Sequence, residues 1–308
     1  MINNIQNTFS IQDLEILSGI KAHTIRIWEK RYGVLNPMRL NRNIRIYTLL
    51  DLQKILNVSL LLKYNYKISQ LSKLADGELE NKAKLVSLED LNSNYHINSL
   101  IVSMFSYNSN LFEDVYLEQI KTLNFNQIFL ETYVPLLKHI GILWQTNGLQ
   151  PAQEHFISNL INQKIALHTA LIDRPQTTSK RVNVLFLPKG EIHELGLLYL
   201  SYHLKLLGEK TVYLGTDIPT DNLFNINSQF QEINWICSFL LGRTDDEKNQ
   251  FITEMANLLN HTKNTATVIG EIWRDYSTAN VPKNLTFNEQ FGQLINNSNE
   301  QLEAMSSE

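Results

Sequence analysis

The hexad Glu191-Ile-His193-Glu-Leu-Gly196 closely follows the apolar run Val182-Asn-Val-Leu-Phe-Leu187-Pro188, after Lys189-Gly190. The run reads as a buried strand, and the hexad as the opening of a helical stretch that ends near Gly208. A histidine at the carboxyl end of a strand stands where open α/β sheets bind ligands. Glu191, two residues earlier, could hold one ring nitrogen of His193 and leave the other to ligate a metal. The chemistry suggested is the binding of a metal-containing cofactor.

A second constellation lies near the N-terminus and is basic. His23, Thr24, Arg26 and Arg31 point outward from a short helix that ends at Tyr32, and Arg39, Arg42 and Arg45 follow on a small hairpin. Such a set suits a recognition helix in a DNA major groove with a basic wing on phosphates or the adjacent minor groove. Residues 1–73 hold 11 Lys+Arg against 4 Asp+Glu, and the remainder holds 16 against 27. A polyanion partner is therefore expected for the first module only.

The elements that must position these residues can be read in order. Ser10-Ile-Gln-Asp13 signals a helix start, Leu14 and Leu17 give its apolar face, and Gly19 makes a turn. A second helix is predicted over about 22–32, with Ile25, Trp28 and Tyr32 inward and His23, Arg26, Ile27, Lys30 and Arg31 outward. Two short helices joined by a glycine-containing turn form a helix-turn-helix. Asn43 suits the turn of the wing, Thr48-Leu-Leu-Asp51 opens another helix, and a short helix is predicted over about 68–74. The first domain is thus 1–74. The charged, weakly periodic segment 75–94 reads as a linker that is partly helical.

Residues 95–176 show helical stripes broken by short polar turns, which predicts a four-helix bundle. From Lys180 the pattern switches. Strands are predicted at 182–187, 211–214, 233–241, 266–269 and near 285–287, with helices between them. That alternation implies a flavodoxin-like, doubly wound parallel α/β sheet over 180–296, with a polar tail at 297–308.

Composition sets the outer limits. The 308 residues are 43% hydrophobic and 19% charged, which fits several globular domains. No apolar stretch approaches the ~18–20 residues of a membrane span, and no secretory signal is visible, so the cytoplasm is the expected compartment and no membrane partner is expected. The single cysteine, Cys237, lies in an apolar run and excludes an intramolecular disulfide framework. No glycine-rich phosphate loop, paired catalytic carboxylates or nucleophile–base set is present, so the chain is not expected to be an enzyme.

Two resemblances now enter. Thr24-Ile-Arg26-Ile-Trp28-Glu29-Lys-Arg31-Tyr32-Gly33, with Pro37, Arg39, Arg45, Tyr47 and Asp51-Leu52, resembles the winged helix-turn-helix of MerR-type transcription regulators. The likeness implies homodimeric binding to a pseudo-palindromic, double-stranded DNA operator, with Tyr32 and Tyr47 grouped among the DNA-binding residues. The wing tip departs from the glycine-rich family pattern, being Arg42-Asn43.

Trp144 and Glu154-His155, with nine residues between, resemble the cap of cobalamin-dependent light-sensing regulators of the CarA/CarH/LitR group. There the corresponding residues cover the upper face of the corrin around the adenosyl group. An indole stacks on an organic ligand and a carboxylate accepts bonds from ribose hydroxyls. Glu191-x-His193-x-x-Gly196 resembles the Asp-x-His-x-x-Gly signature of cobalamin-binding domains, in which the histidine ligates cobalt from below. Ser238-Phe-Leu240 matches the family's Ser-x-Leu element, and Gly270 the first glycine of its Gly-Gly pair.

The resemblance implies adenosylcobalamin as cofactor and a homo-oligomer, dimer or tetramer, whose DNA binding follows cofactor or light state. Three residues depart from it. Glu191 stands for aspartate, Glu271 for the second glycine, and Gln145 for a histidine that becomes a second cobalt ligand after light. A rival reading keeps the fold without cobalamin, the altered pocket serving protein contacts or another ligand. A corrinoid methyl carrier is disfavoured by the basic N-terminal reader and the lack of a separate substrate domain.

Overall fold

A computed structural model describes residues 8–40, 44–89, 94–145, 149–172, 180–240, 242–277 and 281–289. Arg42 at the wing tip and the predicted tail lie outside the described residues. The chain divides into two compact units, Met1–Ile161 and Asn162–Glu308.

The first unit begins with α1 (Ile11–Ser18). Its start is the expected capping box: Ser10 Oγ accepts from Asp13 N–H at 3.2 Å, and Asp13 accepts from Ser10 N–H at 2.7 Å. Gly19 ends it in the left-handed region, φ 71°. Helix α2 (Ala22–Tyr32) has no side-chain cap of its own. Instead Glu15 of α1 accepts from Ala22 N–H at 2.9 Å. A carboxylate at a helix start satisfies an orphan donor and complements the helix dipole. Strands β1 (Met38–Leu40) and β2 (Ile44–Ile46) form the antiparallel wing, with Arg39 opposite Arg45. Helices α3 (Leu49–Lys63) and α4 (Ile68–Leu71) complete the module. Leu14, Ile25, Leu52 and Ile55 are essentially sealed from solvent at its centre.

Most of the segment read as a linker is helical, α5 (Asp76–Glu89). Leu79, Ala83 and Val86 recur at helical spacing and are buried. One of the three is alanine, which is why hydropathy alone reads the segment as weakly periodic. Then come α6 (Tyr95–Ser106), α7 (Ser109–Gln119), α8 (Phe125–Ile128), α9 (Val134–Gln145) and α10 (Pro151–Ala170), the last running on into the second unit. The helices do not pack as four alone, since α3 and α5 both lie against α6. Between α8 and α9 the chain makes one π-helical turn, Phe129–Tyr133, closed by Val134 N–H on Phe129 O. Pro135 lies two residues beyond the turn. Proline has no N–H and its ring crowds the preceding turn, so the wider turn relieves both problems. Phe112 stacks on Tyr133 at 5.9 Å, and Phe125 and Phe129 pack edge-on around the same ring.

The second unit is the expected parallel sheet. Its strands are β3 (Arg181–Phe186), β4 (Thr211–Tyr213), β5 (Glu232–Ser238), β6 (Thr265–Ile269) and β7 (Leu285–Asn288). They lie in the order β4-β3-β5-β6-β7, all parallel. This is the flavodoxin-type order, whose topological switch point lies between β3 and β5. Helix α11 (Leu195–Leu206) packs on β3 and β4, α12 (Phe224–Asn227) is a single short turn after β4, and α13 (Asp245–Leu259) packs on β6. The sheet face toward α13 carries the core: Val184, Phe186, Trp235, Cys237 and Val268 pack with Phe251, Met255 and Leu258. Cys237 is buried there as expected, and burial pushes its thiol pKa well up, so it stays a protonated packing group. The predicted strand 233–241 is shorter than expected. Beyond Ser238 the chain leaves the sheet, with Phe239 N–H still held by Ile269 O at 2.8 Å.

Candidate functional site

The hexad occupies the loop between β3 and α11, at the switch point. Its first four residues are loop, and helix begins at Leu195, one residue before Gly196. Glu191 is fully buried. One carboxylate oxygen accepts from the N–H groups of Ile192 at 2.9 Å and His193 at 3.0 Å, and meets His193 Nδ1 at 2.6 Å. The other accepts from Leu240 N–H at 2.9 Å, on the loop after β5. A carboxylate that takes donors on both oxygens is pinned in one place. Its bond to Nδ1–H sets the tautomer that carries the lone pair on Nε2, the atom a metal would need. The His193 side chain is 40% exposed at the lip of the sheet. The extra methylene of Glu191 over aspartate therefore does not prevent the pairing.

Ser238 ends β5 and is buried, whereas the Leu240 side chain is 69% exposed and its backbone makes the contact. Gly270 ends β6 at φ 151°, and a Cβ there would stand 2.4 Å from Phe239 O. Only glycine fits both the backbone angle and the space. The neighbouring Glu271 side chain is 65% exposed, with the Arg274 guanidinium 3.9 Å away.

Sequence reasoning missed Glu194, Tyr213 and Asp217. Glu194 accepts from Asn162 Nδ2 at 2.7 Å and from the Tyr213 hydroxyl at 2.9 Å, which fixes the start of α11. Burial, with Glu194 second, pushes the Tyr213 pKa far up, so the phenol remains a donor. Asp217 accepts from Gly190 N–H at 2.8 Å. These contacts join elements distant in sequence, and no motif spacing signals them.

The remaining cofactor candidates belong to the first unit. Trp144, near the end of α9, is 44% exposed, an aromatic face turned outward rather than a core ring. Glu154 and His155 lie in the first turns of α10. Glu154 accepts from Ser158 Oγ and lies 2.7 Å from His155 Nδ1, with the histidine 65% exposed. The Gln145 side chain lies outside the described residues.

On the basic module, His23, Arg26 and Arg31 are exposed, and Thr24 and Tyr32 are partly so. The Arg31 guanidinium stands 5.3 Å from the Tyr32 ring centre. Arg39 is exposed on β1. Arg45 is partly occupied, its Nε donating to Glu29 at 2.9 Å. Tyr47 corrects the expectation that grouped it with DNA-facing residues. It is fully buried, its hydroxyl donates to Glu29, and its backbone pairs with Phe9. Burial and then Glu29 raise its pKa. Glu29, which sequence reasoning left without a role, therefore ties α2 to the wing through both Arg45 and Tyr47.

A profile of MerR HTH family regulatory proteins matches residues 9–78, and a B12 binding domain profile matches residues 97–168. The HTH-type transcriptional repressor CarH of Myxococcus xanthus is 29% identical over 226 residues, covering 71% of this chain and 74% of the relative. The HTH-type transcriptional repressor CarA of the same organism is 27% identical over 243 residues, covering 78% and 79%. Among solved structures, the monomethylamine corrinoid protein of Methanosarcina barkeri aligns with a TM-score of 0.55 at 14% identity, covering 68% of this chain and 99% of that one. That last likeness is one of fold. The chain carries a MerR-type helix-turn-helix followed by a B12-binding domain, and it is homologous to CarH and CarA.

Proposed function

We propose that this MerR-type regulator binds adenosylcobalamin and couples the state of that cofactor to oligomer assembly and to binding of a double-stranded DNA operator. The observation that carries the reading is the pairing of His193 Nδ1 with the fully buried Glu191 at 2.6 Å. A buried carboxylate is an expensive way to orient a surface histidine, and it is the arrangement that makes Nε2 a strong metal donor. The glycine cradle at Gly270 adds close backbone access beside the same sheet edge.

In this reading His193 would ligate cobalt and Glu191 would orient the imidazole. Ser238, Leu240, Gly196 and Gly270 shape the pocket. Trp144, Glu154 and His155 serve the upper ligand. When bound, the cofactor supplies a cobalt–carbon bond that light can break. The protein's own part is linkage: the ligand must bind the assembled state more tightly than the separated one, or no coupling follows. His23, Thr24, Arg26, Arg31, Tyr32, Arg39, Arg42 and Arg45 meet DNA, with Tyr47 acting through Glu29.

The test is purification with adenosylcobalamin in darkness, followed by desalting and a spectrum before and after green illumination. A coloured protein whose DNA affinity changes with light is expected. A colourless product overturns the cofactor reading. A coloured product with unchanged DNA binding overturns the coupling.

A further inference from the structure

Three anchors hold the loop that carries His193. Asp217 binds Gly190 N–H from one side, and Glu191 binds Leu240 N–H beneath. The third anchor is Arg243, in the loop between β5 and α13. Its Nη2 donates to Lys189 O at 3.2 Å. The same guanidinium lies 3.1 Å from where a Cβ of Gly190 would stand, so it occupies the space that the glycine leaves open. Gly190 itself is at φ 79°, a conformation that a side chain would resist.

Arg243 is in turn held in place. The Phe239 ring centre lies 5.7 Å from its guanidinium carbon, and Glu247, one turn on, is 3.8 Å from Nη1. The side chain is only 18% exposed. Its Nε is buried without a hydrogen-bond partner, a cost that arginines in open solvent avoid.

We infer that Arg243 is a positioning residue that sets the His193 loop for metal ligation, an inference that rests on the proposed cofactor reading. Arg243 does not ligate anything itself. It fixes Lys189 and Gly190, and so fixes the start of the segment in which Glu191 collects the Ile192 and His193 amides and the imidazole. Without it, the loop would keep the carboxylate but lose the constraint on where the carboxylate sits.

The experiment compares the full chain with Arg243→Met and Arg243→Lys. Hydrogen exchange of the protein without cofactor is read first. In Arg243→Met the Ile192 and His193 amides should exchange about tenfold faster, the loss expected for one hydrogen bond to a charged group, while β5 and α13 stay protected. Arg243→Lys, which keeps a donor but not the fork, should recover part of the protection. Cobalamin titration is read second, with Arg243→Met showing about tenfold weaker binding and a smaller share of the histidine-ligated spectrum. Unchanged exchange over 188–194, or a rise spread evenly through β5 and α13, overturns the assignment. So does a wild type that loads while Arg243→Met loads with the same affinity and spectrum. A wild type that takes up no cobalamin instead overturns the functional reading beneath it.

Discussion

Glu191 and Leu240, far apart in sequence, are joined by a 2.9 Å bond from the Leu240 N–H to the carboxylate of Glu191. That bond runs between the loops after β3 and β5, across the switch point of the sheet. It makes the motif around Ser238 a structural partner of the motif around His193. Replacing Glu191 by alanine would leave the Leu240, Ile192 and His193 amides without their acceptor. Each unsatisfied buried donor costs about 1–3 kcal/mol, discounted where water can enter. Glu191→Ala is therefore expected to lower the urea midpoint and, on the proposed cofactor reading, to weaken metal ligation, whereas His193→Ala should abolish that ligation with little loss of stability. Equal urea midpoints for the two variants would contradict this division.

Glu29 should matter for stability and for DNA together. Glu29→Ala removes the acceptor of the buried Tyr47 hydroxyl and the counter-charge of Arg45, which faces Arg39 across the wing. Like charges directly opposite in an antiparallel pair repel. A loss of about 1–3 kcal/mol in thermal unfolding is expected, with weaker operator binding measured by anisotropy. Glu29→Gln should fall between. An alanine variant of wild-type stability would mean that Tyr47 finds another acceptor.

Gly270→Ala is expected to be the most damaging of the glycine substitutions. The new methyl would meet the Phe239 carbonyl at 2.4 Å, and backbone cannot swing aside as a side chain can. Strain at such a position costs about 1–3 kcal/mol before the clash is counted. Gly19→Ala, where nothing lies within 4 Å but φ is 71°, should cost about 1–2 kcal/mol. Calorimetry of both variants gives the order directly.

Acid should loosen the turn of the helix-turn-helix. The Ala22 N–H, then Lys21, hold the Glu15 carboxyl below its ordinary value of 4.5. A carboxylate whose folded pKa is depressed contributes stability that is fully present above the unfolded value. That contribution is lost as pH falls from about 4.5 through the folded value. Glu15→Gln should therefore be less stable than wild type at neutral pH, and the gap should close as pH drops below 4.5. Urea midpoints measured from pH 7 to pH 3 would show it. A gap that is constant with pH would assign the loss to shape rather than charge.

The exposed arginines of α2 should separate by role. Arg31→Ala is expected to weaken binding on every sequence and to reduce the salt slope by about one. Arg26→Ala, further from the helix end, is expected to cost about 1–3 kcal/mol mainly on the operator and to relax base preference there. Anisotropy on specific and scrambled duplexes at several salt concentrations distinguishes them. Identical losses on both duplexes for Arg26→Ala would make it a phosphate contact as well.

Much of this was legible in the chain because the signals were local. The capping boxes at Ser10 and Thr48, the alternation of strand and helix after Lys180, and the pairing of Glu191 with His193 each fall within a few residues. The missed contacts were of other kinds. Leu240 acts through its backbone N–H while its side chain faces solvent, and residue type says nothing about where an amide points. Tyr47 looks like a wing aromatic until Phe9 and Glu29 enclose it. Arg243 sits outside every motif and matters only because the fold brings Gly190 to it. Helix α5 buries a small set that includes alanine, so its periodicity was faint.

The π-helical turn at Phe129–Tyr133 has a geometric result for the far end of its helix. One additional residue in a turn rotates everything beyond it by about 100° relative to an uninterrupted helix. Trp144 lies on that rotated segment. The compass bearing of its indole is thus written eleven residues upstream, ahead of Pro135, and deleting a single residue there would steer the ring to another quarter without touching it.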